Sequence, residues 1–155
     1  MSRDRERRVL VVGYGSTVRS DDGIGWRAAE ALLKSGLPPG VTVLTLHQLD
    51  AELAGEAAAA DVVLFVDASR DGEAGEVRCA RVAAQPSNVL FSHQLTPSAL
   101  MAVVRTLYLA SPEAFEVTMT GQAFEIGENL SPLCEAALPK LVEVLAGLVA
   151  YPPSA

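Results

Sequence analysis

The amino-acid sequence predicts an α/β fold, in which helices cover both faces of a largely parallel β-sheet. Short apolar, β-branched runs alternate along the chain with longer segments of helical pattern. The chain has 155 residues, of which 50% are hydrophobic, and this suits one domain with a proper core. No repeat, low-complexity segment or linker interrupts the chain. We therefore expect a single domain over residues 1–155.

The first strand and the first helix follow from the opening of the sequence. The run VLVVG at Val9–Gly13 is short, β-branched and apolar, which is typical of a strand buried on both faces. A helical pattern then extends over roughly Asp21–Ser35. Ser20 is the expected N-cap, and Gly36 is the expected C-terminal stop. The predicted inward face of this helix contains Ile24, Ala28, Ala31 and Leu32.

The middle of the chain supplies three more strands and one short helix. Val41–Leu46 is the second predicted strand, and VVLFV at Val62–Val66 is a third, buried strand. Between them, Asp50 is expected to cap a short helix that continues through the alanine run Ala57–Ala60. Glu76–Arg81 alternates polar and apolar residues more regularly, and this favours an edge strand.

The last third of the chain contains two cap-and-proline signals. Thr96 followed by Pro97 predicts a helix to about Leu109, because proline fits the first helical position. Phe115–Thr120 is the last predicted strand.

Ser131 and Pro132 repeat this signal before a C-terminal helix. Pro139 marks either a kink in that helix or its true start. The residues predicted to face inward are Leu138, Leu141, Leu145 and Leu148.

Charge and cysteine content narrow the possible partners and location. The chain has 12 basic and 19 acidic residues, and its one basic cluster, MSRDRERR, also contains acids. Such a chain is a poor nucleic-acid binder, so a protein or a small molecule is the expected partner. We expect neither a signal peptide nor a membrane span, because the apolar runs are too short. Cys79 and Cys134 lack CxxC spacing and fit a reduced, cytoplasmic protein.

Polar residues gather at the C-terminal ends of three predicted strands. They occur in Gly13–Gly25, His47–Asp50 and Asp67–Asp71, each directly after an apolar run. The loop Leu90–Thr96 precedes a helix and can reach the same edge of the sheet. Because open α/β sheets bind ligands beyond this edge, we expect the functional site there.

Asp22, Asp67 and His93 are the candidate site residues at this edge. Each also has a structural interpretation. Asp22, like Asp21, can favour the positive end of the helix that it begins, and for Asp21 this interpretation is preferred. Asp67 can form an Asx-type turn or a helix cap, and a lone histidine such as His93 usually forms a hydrogen bond. Together, however, one imidazole and two carboxylates suit a three-ligand site for Ni, Zn or Fe with open positions.

Several familiar types of site are disfavoured. A dinucleotide-binding loop requires a third glycine after Gly13 and Gly15, but Val18 stands there. Such a loop also needs an acid near the end of the second strand, where His47 is found. A phosphate loop would need Gly-Lys-Ser/Thr, and a zinc helix would need HExxH; the sequence contains neither.

Four motifs together resemble the hydrogenase maturation endopeptidases. They are VLVVGYGSTVRSDDGIG, VVLFVDA, FSHQLTP and GENLSP, which span nearly the whole chain in the family's order and at fitting separations. The family pattern begins with a strand, G-x-G-N, an apolar spacer and Asp-Asp or Asp-Glu-x-x-Gly. Its fold is a twisted, mostly parallel five-stranded sheet with helices on both faces (phosphorylase/hydrolase-like). This agrees with the elements predicted above.

The resemblance implies a function and a set of site residues. Members of this family are endopeptidases that remove a short C-terminal extension from the large-subunit precursor of [NiFe] hydrogenases after nickel insertion. Their metal-contacting acid after the second glycine matches Asp22, their acid at the end of the third strand matches Asp67, and their histidine matches His93. Asp22 and Asp67 are then also the catalytic candidates of an aspartyl-type endopeptidase. The implied metal is nickel carried by the substrate, for which Zn or Cd can substitute.

The chain departs from the family pattern in two places. Ser16 replaces the usual Asn after the second glycine, and a hydroxyl cannot hold both ends of a contact as an amide can. LHQLDAEL replaces a glycine-rich segment, often Asp-Gly-Gly-Thr, that is thought to help engage the substrate. His47 and Gln48 now occupy that edge. His47 is either a surface histidine, which is the simpler interpretation, or an extra ligand or substrate contact.

The sequence leaves the mechanism open. Ser16 and Ser69 lie near the expected site, but neither has a suitable base beside it, because the nearby histidine is expected to be a ligand. The attacking water is then polarised by the substrate's nickel or activated by Asp22 or Asp67 as base. Two other functions remain as alternatives: a non-catalytic nickel-binding hydrogenase assembly factor and, less favoured, a nucleotide-binding α/β module.

Overall fold

A five-stranded sheet forms the centre of the protein, whose computed structural model describes residues 6–86 and 95–153. Neighbouring strands are parallel except at one edge, where the fourth strand runs antiparallel to the fifth. The order across the sheet is β2-β1-β3-β5-β4. The strands are β1 (Val9–Tyr14), β2 (Val41–Leu46), β3 (Val62–Ser69), β4 (Val77–Arg81) and β5 (Glu113–Thr120). The expected mostly parallel five-stranded α/β fold is therefore confirmed.

Helices cover both faces of this sheet, as expected. The α-helices are α1 (Ile24–Lys34), α2 (Ala54–Ala59), α3 (Pro97–Tyr108) and α4 (Pro132–Ala150). On one face, Ile24 and Leu32 of α1 and Leu141 and Leu145 of α4 belong to one buried core. On the other face, α2 and α3 enclose a second core around Phe65. None of the helices in the described ranges has the length and apolar character that a membrane span requires.

The two cap-and-proline signals are confirmed. The hydroxyl of Thr96 accepts a hydrogen bond from the backbone N–H of Ala99 at the start of α3. The hydroxyl of Ser131 does the same for Cys134 at the start of α4. Because α4 begins at this cap, the alternative start at Pro139 is wrong, and Pro139 lies inside the helix.

The expected N-cap of the first helix is wrong. Ser20 begins a short 3-10 helix, Ser20–Gly23, and α1 itself begins only at Ile24. The Ser20 side chain is turned away from the helix, because its hydroxyl donates a hydrogen bond to the carbonyl oxygen of Glu125 at 2.8 Å. A tertiary contact that no local pattern contains therefore overrides the capping signal.

α1 approaches the sheet closely at one glycine. A Cβ atom on Gly25 would lie 2.2 Å from the carbonyl oxygen of Val66 and 2.7 Å from that of Tyr14. Both oxygens are backbone atoms near the ends of strands, and a close-packed interior leaves them little room to move. The absent side chain lets the start of α1, with the 3-10 helix before it, lie directly against the C-terminal edge of the sheet.

We predict that Gly25→Ala destabilises the protein by about 3 kcal/mol or more, because overpacking against backbone is poorly relieved. Gly147→Ala in α4 is the matched control: its added Cβ would meet nothing within 4 Å. Since alanine favours helix over glycine by about 1 kcal/mol, this control should be neutral or stabilised. Urea denaturation measures both. Equal stability of Gly25→Ala and the unaltered protein would contradict the close approach.

Candidate active site

A cleft of about 400 Å³ opens at the C-terminal ends of the parallel strands, where the functional site was expected. The ends of β1 and β3, the 3-10 helix before α1, the loop after β2 and the start of α3 form its walls. Its lining residues are Tyr14, Gly15, Asp22, His47, Gln48, Leu49, Asp67, Leu95, Thr96, Pro97, Ser98 and Glu116. Two of the three predicted site residues, Asp22 and Asp67, therefore share one cleft.

Asp22 reaches the cleft from the 3-10 helix that precedes α1. Its Oδ2 atom accepts a hydrogen bond from the backbone N–H of Ser16 at 2.8 Å. Gly15, just before, has φ +142°, and a Cβ atom there would lie 2.0 Å from the Asp22 carbonyl oxygen. The loop can fold this tightly only with glycine at position 15. Ser16 orients Asp22 through its backbone, so the replacement of the family's usual Asn leaves this contact in place.

Asp67 lies inside a strand instead of following it. β3 continues to Ser69, and Asp67 pairs with Thr118 of β5. The Oδ1 atom of Asp67 accepts the N–H of the next residue, Ala68, at 2.7 Å. An Asx turn would require a bond to the residue two positions on, so the interpretation of Asp67 as a turn or cap residue is wrong.

The ionisation of Asp67 reflects its half-buried position. Burial raises the pKa of its carboxyl group to about 7. Hydrogen bonds from the Ala68 N–H and the Tyr14 hydroxyl lower this pKa, while the charges of Asp22 and Glu116 raise it. The group is therefore poised between its two protonation states near neutral pH. A cation in the cleft would favour the ionised form.

Sequence reasoning missed two residues beside Asp67. Tyr14 and Glu116 line the cleft from β1 and β5, the strands on either side of β3. Strand register places all three side chains on the same face of the sheet. Burial raises the pKa of the Glu116 carboxyl group, and burial with the nearby Asp67 charge raises that of the Tyr14 hydroxyl. One signal was available: Glu116 is the only charged residue in FEVTMT, and an apolar strand keeps a charge only at a polar site.

His47 also lines the cleft, at the end of β2. It is an exposed histidine at a strand end, as the simpler interpretation held. Its ring stacks on that of Trp26 in α1, with centroids 4.8 Å apart and an interplanar angle of 27°. The stack fixes the imidazole at the mouth of the cleft, and Trp26 is a neighbour that sequence reasoning did not identify.

The third predicted ligand, His93, falls outside the described residues. Within residues 6–86 and 95–153, no three His, Cys, Asp or Glu side chains form a group able to hold a metal ion. Asp22 and Asp67 nevertheless interact, because the charge of Asp22 raises the pKa of Asp67. Two neighbouring carboxylates of this kind fit a divalent cation, whose charge would offset their repulsion. The three-ligand set of Asp22, Asp67 and His93 stays a prediction.

Asp21, the neighbour of Asp22, anchors the loop after β5 to the site. Its side chain is fully buried and accepts four hydrogen bonds. Oδ2 accepts from the backbone N–H groups of Gln122 (2.7 Å) and Ala123 (2.9 Å) and from the Ser131 hydroxyl (2.8 Å). Oδ1 accepts from the Ser131 N–H at 2.7 Å. The preferred interpretation of Asp21, as a charge that complements the helix end, therefore misses its main interactions.

These hydrogen bonds keep Asp21 ionised inside the protein. Burial by itself raises the pKa of the carboxyl group, but the bonds from Ala123, Gln122 and Ser131 outweigh it, so the pKa lies below its ordinary value. Asp21 and Asp22, although adjacent in sequence, thus have different roles. The first carboxylate holds the loops together, and the second faces the cleft.

Fold and site together define a small α/β enzyme with acidic side chains in a cleft at the C-terminal edge of its sheet. No family model matches the chain. It is 31% identical over 150 residues to the hydrogenase 2 maturation protease of Escherichia coli strain K12, covering 91% of this chain and 90% of that protein.

Solved structures agree with this relationship. The hydrogenase maturating endopeptidase HybD from Escherichia coli superposes with a TM-score of 0.72 at 28% identity, covering 91% of both chains. The [NiFe] hydrogenase maturation protease HycI from Thermococcus kodakarensis shares the fold, with a TM-score of 0.75, 24% identity and 93% of both chains covered. The chain belongs to the hydrogenase maturation protease family, and it is a protease.

We predict that Asp21→Asn destabilises the protein by about 2–3 kcal/mol at pH 7. The amide would turn its NH2 group toward at least one N–H donor, and hydrogen bonds to a charged acceptor would be lost. The folded-state pKa of Asp21 lies below its unfolded value of about 3.9, so its contribution is present above that value and is lost as the pH falls through the folded pKa. As the pH is lowered from 5 to about 2, the free energy of unfolding should therefore fall less in the Asp21→Asn variant than in the unaltered protein.

Urea denaturation at a series of pH values measures this difference. Asp50→Asn is the matched control, because Asp50 is an exposed aspartate with one hydrogen bond, from the Glu52 N–H. It should cost less than about 1 kcal/mol, since asparagine caps a helix as well as aspartate does. Identical pH profiles for Asp21→Asn and the unaltered protein would show that Asp21 does not stabilise the fold by its charge.

Proposed function

We propose that the protein is an endopeptidase that removes the C-terminal extension of a [NiFe] hydrogenase large-subunit precursor after nickel insertion. The observation that carries this proposal is the shared cleft of Asp22 and Asp67, in a chain of the hydrogenase maturation protease family. The free cysteines Cys79 and Cys134 suit a reducing compartment, and we place the reaction in the cytoplasm.

The nickel ion enters this proposal as part of the substrate. Asp22, Asp67 and His93 would contact it with two carboxylates and one imidazole, a donor set that also accepts Zn or Cd. The ion would polarise the scissile carbonyl group and bring it into the cleft. Each carboxylate is already oriented by a backbone N–H, from Ser16 for Asp22 and from Ala68 for Asp67, so little reorganisation accompanies binding.

Asp67 is the proposed general base of an aspartyl-type hydrolysis. Burial raises the pKa of its carboxyl group to about 7 in the cation-free cleft, and the substrate's cation would shift it toward the ionised form that a base requires. The carboxylate removes a proton from water while the water oxygen bonds to the scissile carbonyl carbon. The carbon–nitrogen bond then breaks, and the leaving nitrogen takes the proton. Asp22 would help to hold the substrate cation, and the Tyr14 hydroxyl would keep its hydrogen bond to Asp67 during this exchange.

We predict that purified enzyme cleaves a nickel-loaded precursor and leaves the nickel-free precursor intact. Without the cation, the carboxylates of Asp22 and Asp67 have nothing to bind and repel acidic or thiolate groups of the substrate. The decrease in the size of the large subunit on a denaturing gel measures cleavage. Equal cleavage of both precursors would contradict the requirement for nickel and would leave the protease assignment intact.

A companion variant separates chemistry from packing. Asp67→Asn keeps the size of the side chain and an oxygen for the Ala68 N–H, but removes the charge that a base needs. We expect cleavage to fall by about 10²- to 10⁴-fold with an unchanged melting temperature. If cleavage persists while stability drops, Asp67 is a structural residue. If the unaltered protein binds the nickel-loaded precursor without cleaving it, the non-catalytic assembly factor becomes the better description.

A further inference from the structure

Two exposed apolar side chains lie side by side next to the cleft. Val18 is 55% exposed and Ile126 is 86% exposed. Their two segments form a parallel β-bridge between Arg19 and Gly127. The Gly127 N–H donates to the Val18 carbonyl oxygen at 3.0 Å, and the Ser20 N–H donates to the Gly127 carbonyl oxygen at 2.8 Å. The two bridged segments form a short ribbon, residues 18–20 and 126–127. Val18 and Ile126 each precede a bridged residue, so their side chains lie on the same side of this ribbon.

The ribbon is held in one conformation by the buried layer beneath it. The Ser20 hydroxyl donates to the Glu125 carbonyl oxygen, and the Asp21 N–H donates to the Ala123 carbonyl oxygen at 2.9 Å. The Asp21 carboxylate binds the same loop through Ala123 and its neighbours. A partner would therefore meet these apolar side chains already in place, without the usual loss of loop entropy on binding.

Neither Val18 nor Ile126 lines the cleft, but Val18 lies in a loop whose two ends do. The loop that exposes Val18 also supplies Gly15 and Asp22 to the cleft walls. The adjacent residues Arg19 and Glu125 are also exposed, but strand alternation directs their side chains to the opposite side of the ribbon. The side that carries Val18 and Ile126 is therefore apolar, as the centre of a protein-binding surface usually is.

We propose that Val18 and Ile126 dock an apolar part of the folded protein substrate, outside the segment that is cleaved. This inference rests on the proposed function, because a segment held at Asp22 brings the rest of its protein against this ribbon. A second copy of the chain fits less well. A stable dimer needs about 800 Å² of buried surface on each partner, far more than two side chains provide. A small, preformed contact suits a substrate that must be released after cleavage.

The test is steady-state cleavage of the nickel-loaded precursor by the double variant Val18→Ser, Ile126→Ser. We expect KM to rise about tenfold with kcat unchanged, because the contact is made equally in the ground state and the transition state. Leu107→Ser is the matched control. Leu107 is 71% exposed near the C-terminal end of α3, whereas the start of α3 lines the cleft. Its KM should not change.

Four results distinguish a misfolded variant, a wrong docking surface, self-association and a wrong function. A melting temperature for the double variant equal to that of the unaltered protein excludes misfolding, and if it falls, Ile126→Thr alone keeps the β-branched shape and should still raise KM. An unchanged KM for a folded variant overturns the docking surface and leaves the protease assignment standing. Sedimentation that shows a dimer of the unaltered protein and a monomer of the double variant, with KM unchanged, would assign the pair to self-association and overturn the proposal. Absence of cleavage by the unaltered protein would instead refute the proposed function.

Discussion

The buried carboxylate of Asp21 is the interaction on which the arrangement of the site depends. It joins two segments about a hundred residues apart in sequence by binding Gln122, Ala123 and Ser131. A buried charge is tolerated only when its oxygens are fully hydrogen-bonded, and this one accepts four bonds. Because Asp21 is fixed, the next residue is fixed as well, and Asp22 is directed into the cleft. The close approach of Gly25 to the sheet brings this pair to the ends of the strands.

The sheet supplies the other half of the site. Parallel strands end at one edge, and their register aligns Tyr14, Asp67 and Glu116 on one face above the apolar core around Phe65. Asp67 is thereby half-buried between a hydroxyl group and two further carboxylates. Burial and like charge both favour its protonated form, and a cation in the cleft would oppose both effects. The proposed substrate, which would carry its own metal ion, would supply such a cation.

The sequence was sufficient to predict the fold and the edge of the sheet at which the cleft with Asp22 and Asp67 opens. Strand and helix periods are local, and the caps at Thr96 and Ser131 depend on bonds within three residues. The residues that sequence reasoning misassigned or missed depend on tertiary contacts. In sequence, Ser20 and Asp21 look like ordinary residues of a helix N-terminus. In the structure, both form hydrogen bonds to the loop at 122–131. Glu116 and Tyr14 line the cleft because strand register places them beside Asp67, and no local sequence pattern specifies that register.

The most direct measurement is a crystal structure of the protein with nickel or cadmium, collected at the absorption edge of the metal. An anomalous peak in the cleft, within about 2.0–2.5 Å of carboxylate oxygens from both Asp22 and Asp67 and of a ring nitrogen of His93, is the expected result. A peak bound elsewhere on the surface, or one that contacts neither carboxylate, would contradict a shared metal at the C-terminal edge of the sheet.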